Sequence, residues 1–236
     1  MAGPAAAAAA AHVFVADLDR PVVEASDRHH LERVLRLRAG QAVTVSDGAG
    51  RWRLCRFGPE LEMDGPVEAV TRPSPPLTVA FAPVKGTGPT GRSEWVVGKL
   101  TELGVDRIMP FMAERSVLRW DGAQALRHGE RLAKAARQAA MQSRRCWLPE
   151  VAALAHFDDV AAATGAALAD RGGSPATLEH PVVLVGPEGG WSPAERDRGL
   201  PRIGLGDNVL RAETAAMAAA VLLGALRAHL RLPGGA

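Results

Sequence analysis

Two glycine-rich segments carry the residues whose types and spacing could do chemistry. The first, GPEGGWSPAE at 186–195, follows the apolar run PVVLV at 181–185. The second, IGLGDNVLRAET at 203–214, adds Asn208, Arg211 and Glu213. A buried strand that runs into bare backbone lets a flat ligand approach main-chain N–H and C=O groups closely. In open parallel sheets such ligands sit beyond the carboxyl ends of the strands. Neither segment has the Gly-Lys-Ser/Thr ending that grips phosphates, and Glu188 puts negative charge where a phosphate would lie. The expected ligand is neutral or cationic, its adenine and ribose held through the main chain. S-adenosylmethionine, a sulfonium, meets that description. Two ordinary tight turns are the competing reading.

Chemistry beyond binding falls to Glu213 and Arg211. Glu213 is the candidate base, and Arg211 the candidate for orienting a substrate or stabilising its anion. An acid in the first turn of a helix also serves the helix dipole, so a purely structural role for Glu213 stays open. A rival site is GTGPTG at 86–91, which spells the GxGxxG of dinucleotide-binding turns, with Glu114 placed as a ribose acid. Pro89 stiffens a turn that would have to fold tightly under a pyrophosphate. The histidines form no triad, and Cys55 and Cys146 have no metal-ligand spacing, so no metal is expected.

Basic residues cluster in two places although the chain carries a net charge of only +2. Residues 27–56 hold seven arginines against Asp27, Glu32 and Asp47, with Trp52 and Phe57 nearby. Arg28, Arg33 and Arg36 lie in this block. Residues 127–145 hold Arg127, Arg131, Lys134, Arg137, Arg144 and Arg145 against Glu130. Two such patches suit a polyanion, RNA above all, although an exposed charged face explains either one alone.

The elements that must position these residues fall into two parts. Residues 12–72 read as short strands (HVFVADL, QAVTVSDG, RWRLCRFG) with one helix over SDRHHLERVLRLRAG. Leu31, Val34 and Leu35 share its apolar face. Asp47-Gly48 is a hairpin signal. RPSPP at 72–76 stops strand pairing and marks the boundary. From 77 to 232 strands and helices alternate, and the strands are continuously apolar, which predicts a mostly parallel sheet covered on both faces. LTVAFA, RIMPFM, PVVLV and RIGLG are the strands. Helices are expected near 92–104, 123–143, 157–169 and 213–231. Ser192, Pro193 and Glu195 have the spacing of a capping box that opens a short helix. The Ala-rich residues 1–11 read as a disordered tail. The longest apolar run, at 214–226, is too short for a membrane span, so a cytoplasmic protein is expected.

Five stretches, in this order, resemble the RsmE-type 16S rRNA (uracil-N3)-methyltransferases of the SPOUT superfamily. They are HHLERVLRLRAG with SDGAG, EWVVGKLTELGVDRIMPFMAERSV, RLAKAARQAAMQSRR, VVLVGPEGGWSPAE and LGDNVLRAETAAMAA. The resemblance implies a PUA-like β-barrel, then a SPOUT domain with a deep trefoil knot, and a homodimer packed through helices of the knot region. It implies S-adenosylmethionine held by Gly186, Glu188, Gly189 and Gly190 of the first loop. Leu205, Gly206, Asn208, Val209 and Leu210 of the second loop complete that set. It implies a uridine of small-subunit rRNA as substrate, with Lys85 and Arg92 joining Arg28, Arg33 and Arg36 as RNA contacts. Several positions depart from the family pattern. His12 stands where the family has Arg, and Gly98 replaces Gln before the helix lysine. Ala-Glu-Gln-Ser-Gly-Arg becomes Ala140-Met141-Gln142-Ser143-Arg144-Arg145, Ala212 replaces Thr, and TGPTG lengthens a short turn. An RNA-binding assembly factor without catalysis, or an NAD-dependent enzyme using GTGPTG, are the alternatives.

Overall fold

The computed structural model describes residues 9–84, 92–118, 120 and 122–228. The chain divides into two compact units. One holds residues up to Arg72 together with Arg137–Leu148, and the other holds Pro73–Ala136 and the chain from Pro149 onward.

The first unit is a five-stranded sheet in the order β1-β2-β3-β4, with β5 also paired to β3. Its strands are β1 (Ala11–Phe14), β2 (Ala42–Ser46), β3 (Arg51–Arg56), β4 (Glu62–Met63) and β5 (Glu68–Ala69). The hairpin between β2 and β3 turns at Asp47-Gly48, where Asp47 Oδ1 accepts from the backbone N–H of Ala49 at 2.8 Å and of Arg51 at 3.1 Å. Val13, Leu31, Val43, Val45 and Cys55 form the core. The expected helix over 26–40 is shorter and wound differently. Helix α1 covers Ala25–His29 and passes into a single wide π turn, His30–Val34. That turn bonds the N–H of Leu35 to the carbonyl of His30. Wider winding rotates the side chains off the α-helical register. Leu31 alone of the expected apolar face is buried, while Val34 and Leu35 are exposed.

Residues 137–148 pack as part of this unit, which periodicity did not reveal. Arg137 Nη2 donates to Asp27 Oδ2 at 2.6 Å, and its guanidinium lies 5.2 Å from the Phe14 ring centre. Trp147 Nε1 donates to the Val70 carbonyl at 2.8 Å, and the N–H of Gly50 to the Cys146 carbonyl at 2.9 Å.

The second unit is a seven-stranded, all-parallel sheet in the order β12-β10-β11-β6-β7-β8, with β9 also on β7. Its central strands are β6 (Thr78–Phe81), β7 (Arg107–Met112), β10 (Ala166–Ser174) and β11 (Val182–Val185). The shorter β8 (Glu150–Val151), β9 (Ala155–His156) and β12 (Arg202–Ile203) lie outside them. Successive side chains of a strand enter opposite faces, so both faces are apolar. Val79, Phe81, Val183 and Val185 face one core with helices α2 (Arg92–Glu102) and α6 (Ala212–Arg227) and the first part of α3 (Gly122–Gln142). Ala80, Leu168, Val182 and Leu184 face a second core with α4 (Phe157–Ala161) and Trp191. At the end of α6, Arg227 ties the sheet's opposite end: it pairs with buried Asp106 and donates to the Gly104 carbonyl at 2.9 Å.

The expected helix over 157–169 is the main misassignment. Helix α4 ends at Ala161, and Ala166–Ser174 is instead a nine-residue strand inside the sheet. Alanine and leucine favour helix intrinsically, but Gly165 at φ +75° turns the chain into strand direction. There Ala167, fully buried, fits the tight gap between sheet and helix. Tertiary packing overrides propensity here.

His12, on β1, is 4% exposed, and its Nδ1 lies 2.8 Å from Thr44 Oγ1. Burial, assisted by the charge of Arg144, lowers its pKa from 6.5 to about 4. The unfolded chain therefore binds the extra proton between these values, and stability falls as pH drops from 6.5 towards 4. The linked loss is about 3 kcal/mol by the standard conversion. Urea denaturation at pH 7 and pH 4.5 should show a drop for the wild type that is smaller in His12→Gln. An equal drop in both chains would contradict this.

Candidate active site

The two glycine-rich segments meet in one cleft, but not side by side. Strand β10 lies between β11 and β12 in the sheet, with Leu168 opposite both Leu184 and Arg202. Two residues further along, Asp170 reaches the level where β11 gives way to Gly186; against β12 the register shifts after Ala169, and the N–H of Gly204 donates to the Ser174 carbonyl at 2.9 Å. The cleft is lined from the first loop by Gly186, Pro187, Glu188, Gly190 and Trp191. The second loop contributes Leu205, Gly206, Asn208, Val209 and Leu210, and α6 adds Ala212 and Ala215. Its floor is Ala169, Asp170 and Arg171 of β10, with Arg196 beside them. No lysine is among the described residues that line it. The β10 residues escaped the sequence reading because their stretch looked helical; the acid after an apolar triplet, AALAD, was the available signal.

Trp191 fixes the geometry. Its ring is 4% exposed and lies 6.1 Å from Phe111, nearly parallel, and 5.8 Å from Phe157. Its Nε1 donates to the Ala169 carbonyl at 2.9 Å. A Cβ on Gly186 would come 3.0 Å from the indole ring, so only glycine fits without a shift. The loop then enters helix α5 (Pro193–Arg196) through the capping box foreseen from the sequence. Ser192 Oγ accepts from the N–H of Glu195 at 3.2 Å, and Glu195 Oε2 from that of Ser192 at 2.9 Å. Buried Glu195 also accepts from the N–H of Glu114 through Oε1 at 2.8 Å, joining the loop after β7 to this turn.

The other candidate residues are placed as follows. Gly189 does not line the cleft; its carbonyl accepts from Arg115 at 3.3 Å. Val209 is 82% exposed at the rim. Arg211 is exposed at the N-cap of α6. Glu213 is buried in the first turn of α6 and, like Arg211, stands outside the cleft lining. Arg92, at the start of α2, lies 3.5 Å from Glu213 Oε1 and 4.0 Å from Glu188 Oε1. Three residues assigned to three different tasks thus form one charged group. Glu213 Oε2 is buried and has no hydrogen-bond partner among the described residues. Lys85 and the GTGPTG segment lie outside the described residues. In the first unit, Arg28 donates to the Gly58 carbonyl at 3.0 Å and sits over Phe57. Arg33 and Arg36 are exposed, and Arg36 has φ +52°. His12 and Arg144, both departures from the family pattern, are built into the structure of that unit: Arg144 donates to the Ala9 carbonyl.

Replacing Gly186 by Ala should push the indole and cost about 1–3 kcal/mol of stability, as overpacking does. The penalty should shrink when Trp191 is also replaced by Leu. Denaturant unfolding of the four chains measures this, and an additive pair would refute the steric account.

Comparison with known proteins fits this arrangement. Residues 72–224 match the family model of an RNA methyltransferase domain, and residues 23–58 that of an RNA methyltransferase PUA domain. The chain is 32% identical over 231 residues to ribosomal RNA small subunit methyltransferase E of Mycobacterium bovis, covering 87% of this chain and 85% of that one. It is 34% identical to the protein of that name from Synechocystis, covering 84% and 70%. Among solved structures, a ribosomal RNA small subunit methyltransferase E from Neisseria gonorrhoeae, bound to S-adenosylmethionine, superposes with a TM-score of 0.75 at 25% identity, covering 92% of this chain and 97% of that one. A Legionella pneumophila methyltransferase in complex with the same cofactor gives 0.75 at 25%, covering 91% and 96%. The chain belongs to the RNA methyltransferase family that includes the ribosomal RNA small subunit methyltransferase E proteins.

Proposed function

We propose that the protein methylates N3 of a uridine in the 16S rRNA of the small ribosomal subunit, with S-adenosylmethionine as methyl donor. The observation that carries this reading is the cleft that both glycine-rich strand ends line together with β10. The residues present fit that ligand. Gly190 and Gly206 have open space where a Cβ would stand, Leu205, Val209, Leu210, Ala212 and Ala215 give apolar surface for a flat base, and no lysine of the described lining favours a polyphosphate. Gly186, Glu188, Gly190, Leu205, Gly206, Asn208, Val209 and Leu210 would hold the cofactor directly. Gly189 would act through the turn it shapes. When bound, the cofactor supplies a methyl carbon already activated by the sulfonium.

The protein's own task is to place the acceptor nitrogen and remove its proton. Holding reactants in line can be worth roughly 7–11 kcal/mol in favourable cases. The N3 proton of uracil is that of a weak imide acid, so a base contributes. Glu213 accepts it at Oε2, the oxygen with no partner among the described residues, while Arg92 holds Oε1. Arg211, exposed one turn-step before it, orients the uracil or stabilises its anion. Arg28, Arg33, Arg36, Lys85 and Arg92 contact the RNA backbone, which makes binding salt-dependent. The exposed Val221 and Leu226 of α6 suit a homodimer interface, the knotted chain path follows the family resemblance, and the protein works in the cytoplasm. No helix among the described residues is long and apolar enough to cross a membrane.

Incubating purified small subunits with labelled S-adenosylmethionine and analysing the nucleosides by mass should yield 3-methyluridine. No label in rRNA, with the cofactor bound, would favour a binding-only assembly factor. Binding of NAD in place of the cofactor would favour the dinucleotide reading. Glu213→Gln should lower turnover by about 100-fold or more, the usual worth of a general base, without weakening cofactor binding. Unchanged turnover with lowered stability would leave Glu213 a purely structural acid.

A further inference from the structure

The floor of the cleft holds an acid that neither glycine-rich loop supplies. Asp170 sits on β10 between the two loops, with its side chain only 11% exposed. Its two oxygens differ. Oδ1 accepts from the N–H of Arg171 at 3.0 Å and from Arg196 Nη2 at 3.2 Å. Oδ2 has Arg202 Nη1 at 3.7 Å, too far for a hydrogen bond, and makes none among the described residues. An ionised carboxylate only accepts hydrogen bonds. Two flanking guanidiniums already balance its charge, so it offers a cation little net attraction. What it retains is one strong acceptor oxygen, held in place, on a residue that lines the cleft together with both loops.

We infer that Asp170 is a ribose-recognition residue: its Oδ2 accepts a hydrogen bond from a hydroxyl of the cofactor's vicinal diol. Arg196 and Arg202 are positioning residues that hold the carboxylate. The inference rests on the nucleoside-cofactor reading above. It also explains why the strand between the two loops ends its apolar run in an acid rather than a small residue. A site that hydrogen-bonds a hydroxyl discriminates strongly against ligands lacking it, because its buried acceptor is left unpaired.

Calorimetry with S-adenosylhomocysteine and its 2′-deoxy and 3′-deoxy analogues tests this on the full chain. In the wild type, removing the recognised hydroxyl should weaken binding roughly 10- to 100-fold, the range of a hydrogen bond to a charged group. In Asp170→Ala the parent ligand should bind more weakly, and loss of the same hydroxyl should cost almost nothing further. If both deoxy analogues lose as much affinity in the variant as in the wild type, or if Asp170→Ala binds the parent as tightly as the wild type, the assignment is wrong. Should Asp170→Ala fail to fold by its melting curve, Asp170→Leu keeps the side-chain shape without an acceptor, and a hydroxyl effect undiminished in it would overturn the assignment equally. A wild-type chain that binds no S-adenosylhomocysteine overturns the cofactor reading itself, and this inference with it.

Discussion

The indole of Trp191 occupies the volume that a side chain at residue 186 would need, and the candidate site depends on that wedge. The ring is held from below by Phe111 and Phe157 and at its edge by the Ala169 carbonyl. It therefore locks the loop after β11 to the neighbouring strand β10. Glycine at 186 follows from the contact, and so does the level at which Asp170 stands relative to the loop. The β10–β11 ladder and the Arg196–Asp170 pair hold the floor to the wall beside it.

Charge in the second unit is arranged around that cleft in local, mostly compensated groups. Asp170 is balanced by Arg196 and Arg202, and Glu213 and Glu188 share Arg92. Glu195 spends both oxygens on backbone N–H groups. Such pairing avoids the cost of burying an isolated ion. Among the described residues it leaves two acceptor oxygens without a hydrogen bond, Glu213 Oε2 and Asp170 Oδ2.

Much of this architecture was legible in the sequence, and the failures have definite causes. PVVLV and LTVAFA are apolar on both faces because they are central parallel strands with helices on either side. The Ser192-Pro193-Glu195 capping box was readable because its chemistry is local. Strand β10 was not, since AALAD has helical composition and only Gly165 and the surrounding sheet turn it into a strand. The consequence was larger than one element: without β10 the floor residues Asp170 and Arg171 went unnoticed. Residues 137–143 read simply as the end of the long helix, and 144–148 had no assigned element. Their packing with the first unit through Arg137 and Trp147 depends on contacts distant in sequence, which no periodicity encodes. Val34 and Leu35 were assigned to a buried face by α-helical spacing that a π turn does not keep.

The central claim is that one cleft, floored by β10 and walled by both glycine-rich loops, binds an adenosyl ligand. A crystal structure of the protein with S-adenosylhomocysteine tests it most directly. The account predicts density for the nucleoside touching Gly186 on one side and residues 205–210 on the other, with the ribose over Asp170. Ligand density at any other place, or contact with one loop alone while the other stays clear of it, would contradict the account.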